Sequence, residues 1–586
     1  MKIPLTPPDQ KDLPHHPSLN LDMSPDRMSR FNSPPPRWLV ALLFSALLAL
    51  RVLSVLHYRI DSDEPQHLHV VWGWAHLLTQ YRDVFDNHTP LFHLASLPFY
   101  QWIGECGDTL LYMRFLMVPL FFYSLWCVYR LGVGICSVEV GIWAAILGAL
   151  TPAFCYTFTE YRADDLWTAL WYSALVVLLE GKLSWQRGFF AGVLIGATLA
   201  ASLKTLALLG CFAGAGTVAC YLTKSFKAAL GHERNYRILA ATIAGSLIVP
   251  ALLTIWFSHL HALADARYGI FTYNAIPGFG RFRTFRAVVV GFVEFVAALA
   301  ILIPLSHAMA ERLIAPERRL RFHLAFLGSG FYGALIYTLW PLLDAEHLIP
   351  YQPLFLMGLT PLLLERGEAI FRSRRFPQRV VVPTAIAVFV IALEAWSLRV
   401  DQVKHRLMDY AELLRLSDAN DYVMDMKGES IFRPRPYPYL LEGIGILRAK
   451  SGLMPDDIPE RLIATGTCIV VPADIRFTFP RAIAFMNDNY ILVGQFRVLG
   501  NAMTPTDDGT TFTFQVRIPQ TFAFVSNLKL MRGMIDGQPC PGFATLTAGR
   551  HVFVPESPHE TIDFVWKQAI DRGFYPRHKK REVSAN

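Results

Sequence analysis

Long apolar runs divided by short polar loops fill the first two thirds of the chain. Eleven of them, at 38–57, 109–130, 137–157, 164–181, 186–203, 205–223, 236–257, 286–306, 322–341, 347–365 and 380–398, approach the length of about 20 helical residues that a hydrocarbon core demands. They predict a mainly α, polytopic membrane protein with about 11 transmembrane helices. After residue 398 the pattern changes. TCIVVPADI, YILVGQFRVL, TFTFQVRI and HVFVPE have the β-branched and aromatic character of strands, whereas MDYAELLRLSDAND and TIDFVWKQAIDRG read as helices. Residues 399–586 are therefore expected to form a C-terminal extracytoplasmic α+β domain. Residues 1–37 are polar and hold nine prolines, the composition of a disordered tail.

Charge adds a direction to this pattern. KSFKAALGHER, AERLIAPERRLR and RGEAIFRSRRFPQR occupy loops that would all lie on one side. Basic loops mark the cytoplasmic face, so the N-terminal tail is expected inside. An odd number of spans then leaves 399–586 outside, together with the loops 58–108 and 258–285. Lys204 splits the apolar stretch 186–223 and is read as the tip of a hairpin. The run at 38–57 is too long and too far from Met1 for a cleaved signal, and is expected to stay as a span. The net charge of +7 thus reflects topology and calls for no nucleic-acid partner. A bacterial inner membrane is the expected location, since no ER-retrieval signal is present. None of the eight cysteines has metal-binding spacing. Cys468 and Cys540 fall in the outer domain, as a disulfide or as two buried thiols.

The candidate chemistry lies on the outer face. RIDSDEPQHLHVVWG, residues 59–73, places Asp61, Asp63 and Glu64 where the first span ends. Their simplest role is a helix start, with Ser62 or Asp63 as N-cap and Glu64 in the first turn. Leu68, Val71, Trp72, Ala75 and Leu78 then fall on one stripe, predicting an amphipathic helix on the membrane surface. TEYRADDLW, residues 159–167, puts Arg162, Asp164 and Asp165 at the mouth of another span on the same face. Two acidic mouths facing one compartment suggest a shared site. Lys204, Arg267, Arg281, Arg283, Arg286, His88 and His347 supply basic groups there. Acids that activate a hydroxyl and bases that receive a phosphate, both at a lipid surface, suit transfer of a sugar from a lipid phosphate. Asp61 and Asp63 form a D-S-D that invites a divalent metal, as does Asp63 with His67 and His69, although no signature requires one. A transporter would place ionisable groups deep in the spans and show a repeat. Only Glu294 and Glu394 lie deep, and no repeat is present.

The order of six motifs is similar to that of the polyprenyl-phosphate-sugar-dependent membrane glycosyltransferases. This GT-C-type superfamily holds the lipid A aminoarabinose transferases and the protein O-mannosyltransferases. SDEPQHLHVVWGWAHLLTQ resembles their first outer loop and DNHTPLFHL their Lys/His-Pro-Pro-Leu element. LYMRFLMVPL resembles the Arg-bearing start of their second span, and EYRADDLWTALWYSALVVLL their Arg-x-Asp segment. GATLAASLKTLAL and EHLIPYQPLFLM resemble the Leu-Thr-Lys-Gly stretch and the late Arg-Tyr-x-x-Pro-x-x-Pro span. The likeness covers about residues 38–365. It implies an inverting transfer at the outer membrane face, from a polyprenyl-phosphate-linked sugar to a lipid, protein or glycan acceptor. By position it makes Asp63 the catalytic acid, with Glu64 beside it, and matches Asp164 to the Arg-x-Asp acid with Asp165 as the neighbouring alternative. Lys204, Arg267, His88, His347 and Arg162 become donor or phosphate ligands. His88 stands where aminoarabinose transferases carry Lys. His347 and Leu348 replace the late Arg-Tyr, and Thr205 replaces a Gly.

Overall fold

Helices occupy all eleven apolar segments, but they are unequal. The computed structural model describes residues 34–225, 233–276, 280, 284–370, 378–471, 479–506, 510–557 and 561–576. Most of the N-terminal tail, Arg281, Arg283 and parts of the two basic loops 224–235 and 366–379 lie outside them. Among the described residues six helices are long and apolar enough to cross a membrane by length and composition: Arg37–His57, Thr109–Ile135, Thr205–Leu222, Glu233–His259, Phe285–Leu313 and Arg379–Ser397. They make this a multi-pass membrane protein, without establishing a count of eleven spans. The segment 137–157 breaks at Thr151–Pro152 into Val138–Ala149 and Pro152–Thr157, because the residue before a proline resists the helical conformation. Ala163–Leu179 and Trp185–Ala201 have 17 residues each.

Sequence spacing explains the packing. Leu39, Leu43, Leu47 and Leu50 form one buried stripe of the first helix, while Leu42, Leu48 and Val52 stay exposed. Gly188, Gly192 and Gly196 lie four apart on Trp185–Ala201, and a methyl group on Gly192 would come within 2.1 Å of the Thr242 carbonyl oxygen. Only small residues allow backbones that close, so this helix seats directly on Glu233–His259. Thr205–Leu222 instead packs along Arg319–Thr338. The two helices flanking Lys204 thus part from each other and do not run as the expected tight hairpin. At the far end of the bundle Arg318 donates to the Cys136 carbonyl at 2.6 Å and Arg321 to that of Gly181 at 3.0 Å, gathering three predicted cytoplasmic loops.

The C-terminal region is a mostly antiparallel sheet with helices at its margins. Its main path runs Phe543–Leu546, Gln520–Ser526, Ile562–Trp566, Phe496–Pro505, Phe512–Val516, Gly549–Pro555, Gly533–Ile535 and Gln538–Cys540. YILVGQFRVL is a two-residue hairpin, Val493 facing Phe496 across Gly494 at φ +61°. TIDFVWKQAIDRG departs from expectation: Ile562–Trp566 is a central strand, buried at every position, and only Lys567–Asp571 is helical. Its β-branched and aromatic residues fill the slot between two strands, and context overrides local preference. Cys468 and Cys540 are buried free thiols, so the disulfide does not form.

Candidate active site

The stretch RIDSDE divides its carboxylates between structure and chemistry. Asp61 is the working cap of the helix Asp63–Ala75: its Oδ1 accepts from the Asp63 N–H at 3.1 Å, and its own N–H donates to Glu64 Oε1 at 2.8 Å. The exchange resembles a capping box shifted by one residue, and it takes the place of the expected Ser62 or Asp63 cap; the Ser62 side chain makes no capping bond. Glu64 is fully enclosed. Arg114 grips it at 2.6 and 2.5 Å, and the Tyr161 N–H donates to it at 2.8 Å. The same guanidinium donates to the Tyr58 and Arg59 carbonyls at 2.8 and 2.6 Å, satisfying groups the first helix leaves open at its end. The helix Asp63–Ala75 does not lie on a membrane surface. Every residue from Glu64 to Gly73 is buried, because Leu68, Val71 and Trp72 pack against Phe92, Leu110 and Met113 on one hand and Tyr410, Ile431 and Phe432 of the C-terminal region on the other.

Asp63 is the carboxylate left over, 26 % exposed at its side chain. Arg162 reaches its Oδ2 at 2.6 Å and Lys427, from the C-terminal domain, its Oδ1 at 2.6 Å. Arg162 is a hub. It also lies 3.0 Å from Asp61, 3.4 Å from Glu160, 3.5 Å from Asp164 and 3.4 Å from Glu346. Its extended backbone precedes the helix Ala163–Leu179, which places Asp164 and Asp165 in the positive first turn. Lys204 opens the helix Thr205–Leu222 and donates to Asp164 Oδ1 at 2.8 Å. Asp63, Asp164, Arg162 and Lys204 are thus one cluster. Burial alone would raise the Asp63 carboxyl, but Arg162, Lys427 and His88 outweigh it and hold it well below the usual carboxylate range.

A second polar network adjoins this cluster. Asp86, fully buried, accepts from Gln66 at 2.7 Å and Gln80 at 3.1 Å, and pairs with His88 Nδ1 at 3.0 Å. Burial disfavours a charged His88, yet Asp86, Asp63 and Asp164 together raise it above its ordinary value. His67 shares a 2.9 Å hydrogen bond with His93, and burial keeps both imidazoles neutral, His93 lowered to about 4. His69 turns the other way and donates to the Ile431 carbonyl at 2.7 Å.

The remaining expected residues divide. Asp165 sits at the cluster's edge but is fully enclosed, with neither oxygen hydrogen-bonded. His347 is buried beside Trp340, and its Nδ1 accepts from the Asp344 N–H at 3.4 Å. Arg267 is exposed at the end of the helix Leu263–Arg267, and among the described residues it makes no ion pair with the cluster. The expected metal sets do not assemble: Arg162 and Lys427 stand against Asp61 and Asp63 where a cation would, and His67 and His69 diverge. Among the described residues the one group with metal-ligand spacing is Asp344, Glu346 and His347. The sequence offered no signal for Lys427. For Arg114 there was one, a lone arginine in an apolar run, while Asp86 and Glu346 open the stretches DNHTPLFHL and EHLIPYQPLFLM, quoted for their histidines.

No family model and no curated protein matches this sequence. The fold, however, is shared with solved structures. ArnT from Cupriavidus metallidurans in the apo state superposes with a TM-score of 0.53 at 12 % identity, over 78 % of this chain and 97 % of that one. The same protein bound to undecaprenyl phosphate superposes with a TM-score of 0.52, with the same identity and coverage.

Proposed function

We propose that this chain is a glycosyltransferase that moves a sugar from a polyprenyl-phosphate carrier to an acceptor hydroxyl, with inversion, at the outer face of a bacterial inner membrane. The observation that carries the reading is the Asp63–Arg162–Asp164–Lys204 cluster, held at one end of the helical bundle under a soluble domain. The fold shared with ArnT, a protein seen bound to undecaprenyl phosphate, supports the lipid carrier. The basic loops gathered at the opposite end support a cytoplasmic N-terminus.

In this reading the donor places its phosphate against Lys204 and His88, with its sugar C1 over Asp63. The acceptor oxygen attacks C1 from the side opposite the phosphate while Asp63 orients or takes its proton. A bond from the acceptor oxygen to C1 forms, the C1–O bond to phosphate breaks, and the electron pair leaves with the lipid phosphate. Lys204 and His88⁺ neutralise that charge, and Arg162 fixes the spacing of the two acids. Glu64 and Asp165, both enclosed, position the helix starts and touch no substrate. If a divalent ion takes part, Asp344, Glu346 and His347 would hold it, and the ion would supply Lewis acidity. Arg267 is left without a role in phosphate binding.

The transporter reading calls for ionisable groups deep in the spans; of the two the sequence marked, Glu394 is buried and Glu294 is exposed, and Arg51 is fully buried. Arg51, however, is tied down by the Cys155 carbonyl at 2.6 Å and by Thr159, which suits a strut better than a moving charge. The deciding measurement is release of polyprenyl phosphate from polyprenyl-phosphate sugars by wild type and Asp63→Asn. No release by wild type with any donor, crude envelope acceptors included, would sink the glycosyltransferase reading.

A further inference from the structure

The C-terminal domain enters the cluster through Lys427. Its side chain is 5 % exposed, and its ammonium lies between two carboxylates, Asp63 Oδ1 at 2.6 Å and Glu442 Oε2 at 2.5 Å. The turn that presents it is firmly built. Asp425 accepts from the Gly428 N–H at 2.8 Å, the Ser430 N–H at 2.9 Å and the Ser430 hydroxyl at 2.7 Å, and Arg435 pairs with it at 2.5 Å. Glu429 accepts from the Met426 and Lys427 N–H groups at 2.9 and 3.1 Å. Gly428, at φ +108°, lies so close to the helix Asp63–Ala75 that a β-carbon there would meet that of His69 at 3.0 Å. The backbone at 427 is therefore pinned, and the freedom left belongs to the flexible lysine side chain.

Asp63 faces a conflict. A carboxylate has about four acceptor sites, but with a cation at 2.6 Å on each oxygen an approaching hydroxyl must share Asp63 with two competing charges. A carboxyl held that far below its ordinary range is also a poor proton acceptor. Release of one cation relieves both. Arg162 is bound into four further carboxylates and would unbalance all of them by leaving. Lys427 has somewhere to go, because Glu442 is already in contact and is 44 % exposed.

We propose that Lys427 is a movable counter-ion, passed from Asp63 to Glu442 when an acceptor hydroxyl takes its place on Asp63, so that the C-terminal domain gates the catalytic carboxylate. This rests on Asp63 being the acceptor-facing acid. Lys427 is then a positioning residue. It joins no bond that forms or breaks and decides whether Asp63 Oδ1 is available. The charges facing Asp63 are Asp61 and His88 from its own outer loop, Arg162 from the helix behind, and Lys427 with Glu442 from the domain above.

The test is the initial rate of carbodiimide labelling of Asp63 in the full chain from about pH 3 to 6, read by peptide mass, which needs no substrate. Carbodiimide reacts with the protonated carboxyl, and an adjacent cation lowers a carboxyl pKa by roughly 1–3 units. Lys427→Met is expected to carry labelling upward by at least about one pH unit. Glu442→Gln, at an exposed position that does not endanger folding, is expected to move it downward by pressing Lys427 onto Asp63. In the double variant the Glu442→Gln shift largely disappears. Unchanged labelling in Lys427→Met, or a full Glu442→Gln shift without Lys427, overturns the hand-over. So does a loss of about tenfold in undecaprenyl phosphate affinity in Lys427→Met, which would make Lys427 a phosphate ligand. Failure of the broader reading looks different: the shifts appear as described, and no lipid phosphate is released.

Discussion

Two acid–lysine pairs flank Arg162, and they are built differently. Asp164 and Lys204 lie 40 residues apart in sequence, both at helix starts within the membrane bundle. Asp63 and Lys427 are separated by 364 residues and meet only because the C-terminal region packs against the helix Asp63–Ala75. The first pair leaves Lys204 23 % exposed, with the Trp167 ring 5.6 Å from its ammonium. The second encloses its lysine almost completely. On the proposed function the first pair would receive the lipid phosphate. On the further inference the second would open to the acceptor.

The hardest blow to this comparison is Asp63→Asn. Loss of a general base costs about 10²–10⁴-fold, so turnover falls by that factor while undecaprenyl phosphate still binds. Asp164→Asn should instead act mainly through donor KM. If steady-state kinetics show the same kcat and KM changes for both, the two pairs are not functionally distinct. Next comes Glu64→Gln, one residue away from Asp63 and opposite in kind. Breaking a buried ion pair costs about 3–5 kcal/mol. Reversible unfolding in detergent should show a loss of that size, with any residual folded enzyme keeping its kcat.

Lys204→Met sharpens the contrast further. A hydrogen bond to a charged group contributes about 1.5–3 kcal/mol, so undecaprenyl phosphate affinity should fall about 10–100-fold in a direct binding titration. Lys427→Met should leave it intact. The smallest effect is the pH response of His88. Its folded pKa is raised, so the His88–Asp86 contact is complete below the ordinary imidazole value and is lost as pH rises through the raised one. Wild-type affinity should therefore decline, relative to His88→Lys, by about fivefold or less over that rise, the size of one half-exposed charge contact. Asp86→Asn moves the decline to lower pH.

Much of this arrangement is legible in the chain itself, for local reasons. Apolar runs announce helices because every buried turn repeats the same demand. Asp63, Asp164 and Lys204 are visible because charges at the edge of such runs need a purpose. Lys427 is invisible: MKGES is an ordinary polar loop, and its role depends on where a distant domain lands. The helix Asp63–Ala75 looked amphipathic yet is buried from Glu64 to Gly73, because the helix Leu91–Ile103 and C-terminal residues close on it together. Arg267 illustrates the converse error, since a basic residue in an outer loop carries no information about which way the loop folds. For TIDFVW the neighbours on both sides of the strand supplied what local propensity could not.

Lys204 also stands at a mechanical seam. The helix before it is zipped by glycines to Glu233–His259, and the helix after it belongs to a different pack. Each pack can tilt to suit the thickness of the surrounding bilayer, but the turn between them must absorb the mismatch. If Lys204 holds a lipid phosphate as proposed, that grip is coupled to lateral stress, and bilayers of different thickness should change its strength.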